Sequence, residues 1–391
     1  VNTGESATFS GPNSVSNIIG RVTGGQMSFI DGTIQSTIPG ANLYLLNPAG
    51  MLFGENARLD VNGAFHVSTA DYLSLSDGGR FDVRTPANSL LTVAPVTAFG
   101  FLSESPAPIM VNGGFLQVPA GQTLSLIGGD LSLNDATLYA PGGQINLAAV
   151  GSAGEVAVTD TDVTLRGFAR LGEITVERTE AGRVVIDEVE LGDIDASGPG
   201  GGAIFIRGGQ FMAQGRSQTQ ANTTGDQDGR GISVEVDRLI LTGGARIESN
   251  TSGRGRSGDI NVTATEEVMI DGAYFDVDAE RLSPSGLTTD ALADLSQAGN
   301  ITISTARLVL TGGGAITSVG RTDDSDSRAG NLDITATELI TIDALNPDYV
   351  GNVDITGLST AAPYYAGDIT IKTARLSLTD GGAISSFTWG S

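Results

Sequence analysis

The sequence predicts an all-β solenoid, a parallel β-helix with loop insertions, and three observations carry that reading. A long unit recurs at nearly constant spacing, its strands alternate apolar and polar residues, and glycine is abundant while aromatic rings are scarce. Of 391 residues 55 are Gly, and 40% are hydrophobic but only 5% aromatic. A wide core draws on more rings than this. Many Val, Ile, Leu and Thr with tight Gly corners suit a narrow core of repeated short strands.

The repeat is explicit in the second half. Leu239-Ile240-Leu241-Thr242-Gly243-Gly244-Ala245-Arg246-Ile247 returns as Leu308-Val309-Leu310-Thr311-Gly312-Gly313-Gly314-Ala315-Ile316, and again as Leu376-Ser377-Leu378-Thr379-Asp380-Gly381-Gly382-Ala383-Ile384. Leu241 and Leu310 are 69 residues apart, and Leu310 and Leu378 are 68 apart. Ahead of each copy runs a period-2 strand: Ile232-Ser233-Val234-Glu235-Val236, Ile301-Thr302-Ile303-Ser304 and Ile369-Thr370-Ile371-Lys372. An interleaved series places Gly258-Asp259-Ile260-Asn261-Val262 opposite Gly330-Asn331-Leu332-Asp333-Ile334. These are followed by apolar turns at Val268-Met269-Ile270-Asp271 and Leu339-Ile340-Thr341-Ile342-Asp343.

Each strand has one apolar and one polar row, so one side is buried and the other wet. A single coil cannot bury its inward row, so coils must stack. Parallel pairing along the stack follows, with Gly supplying the corners. Helical periodicity is nearly absent; the one helical expectation is Asp290-Ala291-Leu292-Ala293-Asp294-Leu295, as a loop decoration.

Composition excludes several classes. There is no Cys, so disulfides, thiolate metal sites and thiol catalysis are out. Acidic residues outnumber basic ones 45 to 21, a formal charge of −24, and Lys372 is the only lysine. Phosphate binding needs clustered positive charge, so nucleic acid is not an expected partner. No apolar run reaches the roughly 18 residues that span a bilayer, so no membrane insertion is expected. The acidic loops Gly225-Asp226-Gln227-Asp228-Gly229 and Thr322-Asp323-Asp324-Ser325-Asp326 could hold Ca2+ loosely, but lack the ligand spacing of known calcium loops. No cofactor is expected beyond that.

The amino-terminal third is less regular. Arg21-Val22-Thr23-Gly24-Gly25 precedes Asn42-Leu43-Tyr44-Leu45-Leu46-Asn47-Pro48-Ala49-Gly50-Met51, and Val67-Ser68-Thr69-Ala70-Asp71 follows. Asn-Pro-x-Gly between two apolar strands is a turn signal, since Pro sets φ and Gly accepts φ > 0. These blocks, in this order, resemble the secretion domain of the filamentous haemagglutinin family, the exported partner in two-partner secretion. The downstream repeats are most similar to those of cyanobacterial members. The resemblance divides the chain into a secretion-like β-helix domain, 1–150, and a repetitive continuation, 151–391.

What the resemblance implies is a right-handed parallel β-helix, secreted to the extracellular surface of a Gram-negative-type cell. Its partner would be an outer-membrane transporter whose POTRA domains read the unfolded chain. By carry-over, Asn42, Leu43, Asn47, Pro48, Gly50 and Met51 would act in recognition or in nucleating the fold. The family's turn is commonly Asn-Pro-Asn-Gly-Ile, and Ala49 and Met51 depart from it. Val1-Asn2-Thr3-Gly4-Glu5 does not resemble a signal peptide and the third repeat stops at Trp389-Gly390-Ser391, so the chain is expected to be part of a longer polypeptide.

Catalysis is the competing class, because β-helices also carry polysaccharide-cleaving sites. The candidate acids Asp187, Glu188, Glu190, Asp193 and Asp195 lie in a strongly patterned strand run and read as the outward row of a coil. His66 is the sole histidine and has no triad partner in the sequence pattern, so it reads as structural. The expected function is therefore a non-catalytic surface structural or adhesive protein. A self-assembling filament subunit and a carbohydrate-active enzyme are the alternatives. Self-association or a surface glycan or protein target completes the expected partners.

Overall fold

The computed structural model describes residues 1–179, 184–186, 189–276, 281–321, 327–344 and 356–390. It is a parallel β-helix in which strands far apart in sequence pair side by side. Two compact units are distinguished: Val1–Thr175 with Gly182–Asp193 and Phe205–Gln210, and Val176–Ala181 with Ile194–Ile204 and Phe211–Ser391.

In the first unit, one face stacks Asn17–Arg21, Asn42–Leu46, Phe65–Ser68, Thr123–Gly128 and Gln144–Ala149 in parallel. A second stacks Ser28–Ile30, Met51–Phe53, Ile109–Asn112 and Leu131–Asn134. Alternate side chains such as Leu43, Phe65, Leu124 and Ile145 fill the interior and are wholly buried. The coils are interrupted by an antiparallel sheet that periodicity did not announce. It runs in the order Arg80–Asp82, Tyr72–Leu75, Val96–Phe101, Gly154–Val158 and Val163–Arg166. Leu73, Phe99, Phe101 and Val156 pack over the outer side of the first face and seal Tyr44, Leu46, Ile127 and Ala148 in a second core. Asn42–Leu46 is apolar on both rows for this reason: both of its sides are buried.

The second unit is the regular one. Ile232 pairs with Ile260, Ile260 with Ile301, Ile301 with Leu332, and Leu332 with Ile369. Each long repeat is therefore two coils of unequal length. In Ile260–Asp271 the inward residues are Ile260, Val262 and Ala264, then Val268 and Ile270, with an exposed corner at Thr265-Glu266 between them. The segments 268–271 and 339–343, expected as turns, are thus the strands of a second face. Successive short strands, Arg246–Glu248, Gly286–Ala291, Ala315–Gly320, Gly357–Ala362 and Ala383–Thr388, make the third.

The three Gly-rich copies occupy equivalent corners, as the repeat requires. The Ala245, Gly314 and Gly382 amides donate back to the Thr242, Thr311 and Thr379 carbonyls at 3.3, 2.9 and 2.9 Å. The two central residues have positive φ in all three, including Asp380 at 50°. Asp tolerates that region as Gly does.

Two further expectations need correction. Residues 290–295 do not form a helix. Asp290 and Ala291 end the strand Gly286–Ala291, which pairs with Ala315–Gly320 and buries Leu287, Thr289 and Ala291. Pairing along the stack overrides the local helical preference of Ala and Leu. Among the described residues the one helical segment is a single 3-10 turn, Pro86–Asn88. Nor do Glu190, Asp193 and Asp195 form an outward row. Val185–Ile186 and Val189–Glu190 are a small antiparallel hairpin, and Asp193 and Asp195 are fully buried. Asp187 and Glu188 lie outside the described residues.

Candidate functional site

The segment 42–51 forms one corner of the first unit and the two strands that meet there. Gly50 N–H donates to the Asn47 carbonyl at 3.0 Å, closing the Asn47-Pro48-Ala49-Gly50 turn, and Gly50 has φ 105°. Pro48 presets φ for the second turn position. Asn47 is 1% exposed and fully engaged. Its Nδ2 donates to Gln26 O at 2.9 Å and Ser28 Oγ at 2.8 Å, while Oδ1 accepts from the Ala49 amide at 3.0 Å. The side chain thus pins its own turn to the corner of the preceding coil.

Asn42 works the same way at the start of the strand. Its Nδ2 donates to Asn17 Oδ1 at 3.1 Å and its Oδ1 accepts from the Ala64 amide at 3.0 Å. Leu43 and Met51 are wholly buried. A Cβ on Gly50 would lie 2.9 Å from Met27 Cε and 3.2 Å from Pro108 O. The structure therefore brings Asn47, Pro48, Gly50 and Met51 to one corner, while Asn42 and Leu43 lie at the other end of the strand that leads to it. Asn47, Leu43, Gly50 and Met51 are enclosed, Asn42 is half-buried, and Pro48 with Ala49 retains partial exposure. Ala49 serves the turn through its backbone amide, so losing an Asn side chain there leaves the corner closed.

Two features of this neighbourhood escaped sequence reasoning. Asp71, in the Val-Ser-Thr-Ala-Asp block, is 1% exposed. Its Oδ2 accepts from the Leu102 amide at 2.6 Å and its Oδ1 pairs with Arg84. Its backbone amide also bonds Gly100 O and its carbonyl accepts from Val83, each at 2.8 Å. One residue thereby fastens three segments where the antiparallel sheet leaves the coil. An Asp directly before a strand was the available signal.

The second is the outward column Tyr44, His66, Ser125 and Asn146, register partners on four successive coils. The His66 ring stacks on Tyr44 with centroids 4.5 Å apart. Its Nδ1 lies 2.9 Å from Ser125 Oγ, which accepts from Asn146 Nδ2 at 3.0 Å. Ser125 thus has its hydroxyl proton free to donate to a neutral imidazole. Burial holds the His66 pKa down at about 4 and pushes Tyr44 up to about 12. Above pH 6.5 the ring is neutral in both folded and unfolded chains. As pH falls from 6.5 towards 4, only the unfolded chain takes up the proton, so stability is lost across that window. The loss reaches about 3 kcal/mol by pH 4. Denaturant titrations at stepped pH should show that slope in the native protein and its disappearance in His66→Gln; equal slopes would refute it.

No constellation for catalysis emerges among the described residues. Asp195 accepts from Gln220 Nε2 at 2.5 Å and from the Ser197 amide at 2.8 Å. Burial raises the Asp290 pKa against the pull of Arg321, but the residue is 4% exposed and so closed to a substrate. Asp228 of the first acidic loop accepts from the Arg256 amide at 2.8 Å. Residues 322–326 of the second lie outside the described residues. Within those described, no three His, Cys, Asp or Glu side chains are grouped to hold a metal.

A family model described as the TPS secretion domain matches residues 1–198. Among solved structures, the HMW1 secretion domain from Haemophilus influenzae is similar, with a TM-score of 0.60 over 96% of this chain and 90% of that one. The two are 17% identical in sequence, so the likeness is one of fold. No curated protein matches the chain.

Proposed function

The chain belongs to the TPS secretion domain family, and on that premise we propose that residues 42–51 are the segment its export machinery reads before the coils form. A member of this family is a two-partner secretion exoprotein, carried across the outer membrane by a dedicated transporter. The observation supporting the finer reading is the burial of Asn47, Gly50 and Met51 at one corner and of Leu43 in the strand that leads to it. Side chains spent inside the fold are open to a partner only while the chain is extended. POTRA domains of the transporter are the reading surface we assign. Closure of the Asn47–Gly50 corner then draws the emerging chain into its first coils.

Beyond export, the reading is a non-catalytic structural or adhesive protein at the outer cell surface. Its long polar outer rows and its formal charge of −24 favour a solvated, self-repelling surface. The repeats resemble those of cyanobacterial relatives.

The experiment is co-expression with the cognate transporter, measuring protein in the medium. Asn47→Ala leaves Gln26 O, Ser28 Oγ and the Ala49 amide without their partner. It is expected to cost about 2–4 kcal/mol in the folded protein and to bring secretion to background. Purified Asn47→Ala protein refolded in vitro separates the roles. Normal refolding with failed export assigns recognition, and loss of both assigns nucleation. Wild-type secretion of Asn47→Ala, or full secretion through a transporter stripped of its POTRA domains, would end the reading.

A further inference from the structure

The repeat of the second unit contains two coils, although one would bury the apolar rows as well. Inward residues are interchangeable from coil to coil: Ile232, Ile260, Ile301, Leu332 and Ile369 on one face, Leu239, Val268, Leu308 and Ile340 on the next. The corner hydrogen bonds do not distinguish coils either. Asp259 Oδ1 accepts from the Asn300 amide at 2.7 Å, Asn300 Oδ1 from Asn331 at 3.0 Å, and Asn331 Oδ1 from Asp368 at 2.9 Å. A stack slipped by one coil would keep all of this.

Besides the Gly-rich corner of every second coil, one charged column tells the coils apart. At the corner between the first two faces stand Arg238, Glu267, Arg307, Glu338 and Arg375, one per coil and alternating in sign, although Glu338 sits one residue before Leu339, the register partner of Arg307. Arg238, Glu267 and Arg307 are register partners. Glu267 accepts from Arg238 at 3.3 Å and from Arg307 at 3.4 Å, and Arg307 reaches Glu338 at 3.5 Å. We propose that this alternating column is a parity code, which lets a coil stack only on one of opposite sign and so makes two coils the repeating unit. Each pair is weak alone, because the arginines are about two-fifths exposed (42% and 41%). A one-coil slip, however, sets Arg238 on Arg307 and brings Glu267 beside Glu338, and like charges opposite one another destabilise a pairing. A chain that adds near-identical coils in succession needs such a penalty. The code stands whether or not a transporter reads residues 42–51.

The test is a whole-coil deletion in the full chain. Removing residues 260–300 joins equivalent points and sets Arg238 against Arg307; adding Arg238→Glu restores alternation. In that background Arg238→Glu should raise the apparent unfolding temperature by roughly 2–6 °C at low salt. In the undeleted chain the same substitution should lower it. Both shifts should fade near 1 M NaCl, where the screening length is about 3 Å. The same sign in both backgrounds, or shifts that persist in high salt, would overturn the code. Should the deletion fail to fold, Glu267→Arg against Glu267→Gln in the full chain decides. The Arg variant should be the less stable at low salt and equal at high salt; equality at low salt rejects the proposal.

Discussion

Gly330→Ala is expected to be among the most damaging single methyls in the molecule. An ideal Cβ at Gly330 would sit 1.9 Å from Gly299 O and 2.5 Å from its carbonyl carbon. These are backbone atoms of the adjacent coil, with no flexible end to swing aside. A Cβ on Gly299 would sit 2.2 Å from Gly258 O and one on Gly367 1.9 Å from Gly330 O, so a whole column of glycines lets the coils touch. Buried hydroxyls lock the same corner: Thr289 Oγ1 donates to Gly299 O at 2.8 Å, Ser318 Oγ accepts from Gly330 N–H at 2.7 Å, and Thr360 Oγ1 donates to Gly367 O at 2.6 Å. The strands stay about 4.8 Å apart because their ladders hold them there. The substitution should therefore cost about 4 kcal/mol or more. Gly40→Ala is the contrast: φ there is 67°, but no atom lies within 4 Å of the added Cβ. Its expected cost is about 1 kcal/mol, from backbone conformation alone. Denaturant unfolding of both variants checks this, and a Gly330→Ala no worse than Gly40→Ala would show that the coils separate easily.

The second large effect is expected at Asp71. Removing its carboxylate in Asp71→Ala orphans the Leu102 amide and frees Arg84. The expected loss is about 2–4 kcal/mol, given two charge-assisted hydrogen bonds at a buried acceptor. The damage should be local. Protease should cut within 72–101 while Thr123–Gly128 and Gln144–Ala149, paired in the coil stack, stay protected. Uniform loss of protection across the first unit would place Asp71 in the coil core instead. Unchanged resistance would remove it from any fastening role.

These two sites differ in how far the sequence announced them. Glycines at Gly258 and Gly330 stood out because they recur before equivalent strands, and the turn at Asn47-Pro48-Ala49-Gly50 was legible from Pro and Gly alone. That Gly330 faces another backbone at contact distance was not legible, since its neighbour Gly299 is supplied by a different coil. Asp71 read as the last letter of a motif; its partners at 84 and 102 come from an insertion with no repeat to reveal it. Asp290-Ala291 failed in the opposite direction. Its local preference was helical, and pairing with Val319 and Gly320 overrode it.

Sequence alone determined the alternating inward rows, the left-handed Gly corners and the two-coil period, because each depends on side-chain direction and φ within a few residues. Only the tertiary structure decided what lies against what. It laid an antiparallel sheet over Tyr44 and His66, buried Asp193 and Asp195, and set Arg238, Glu267 and Arg307 on one corner. Those outcomes rest on contacts between segments tens of residues apart, where free energy comes from burial and charge pairing across coils rather than from any local preference of the chain.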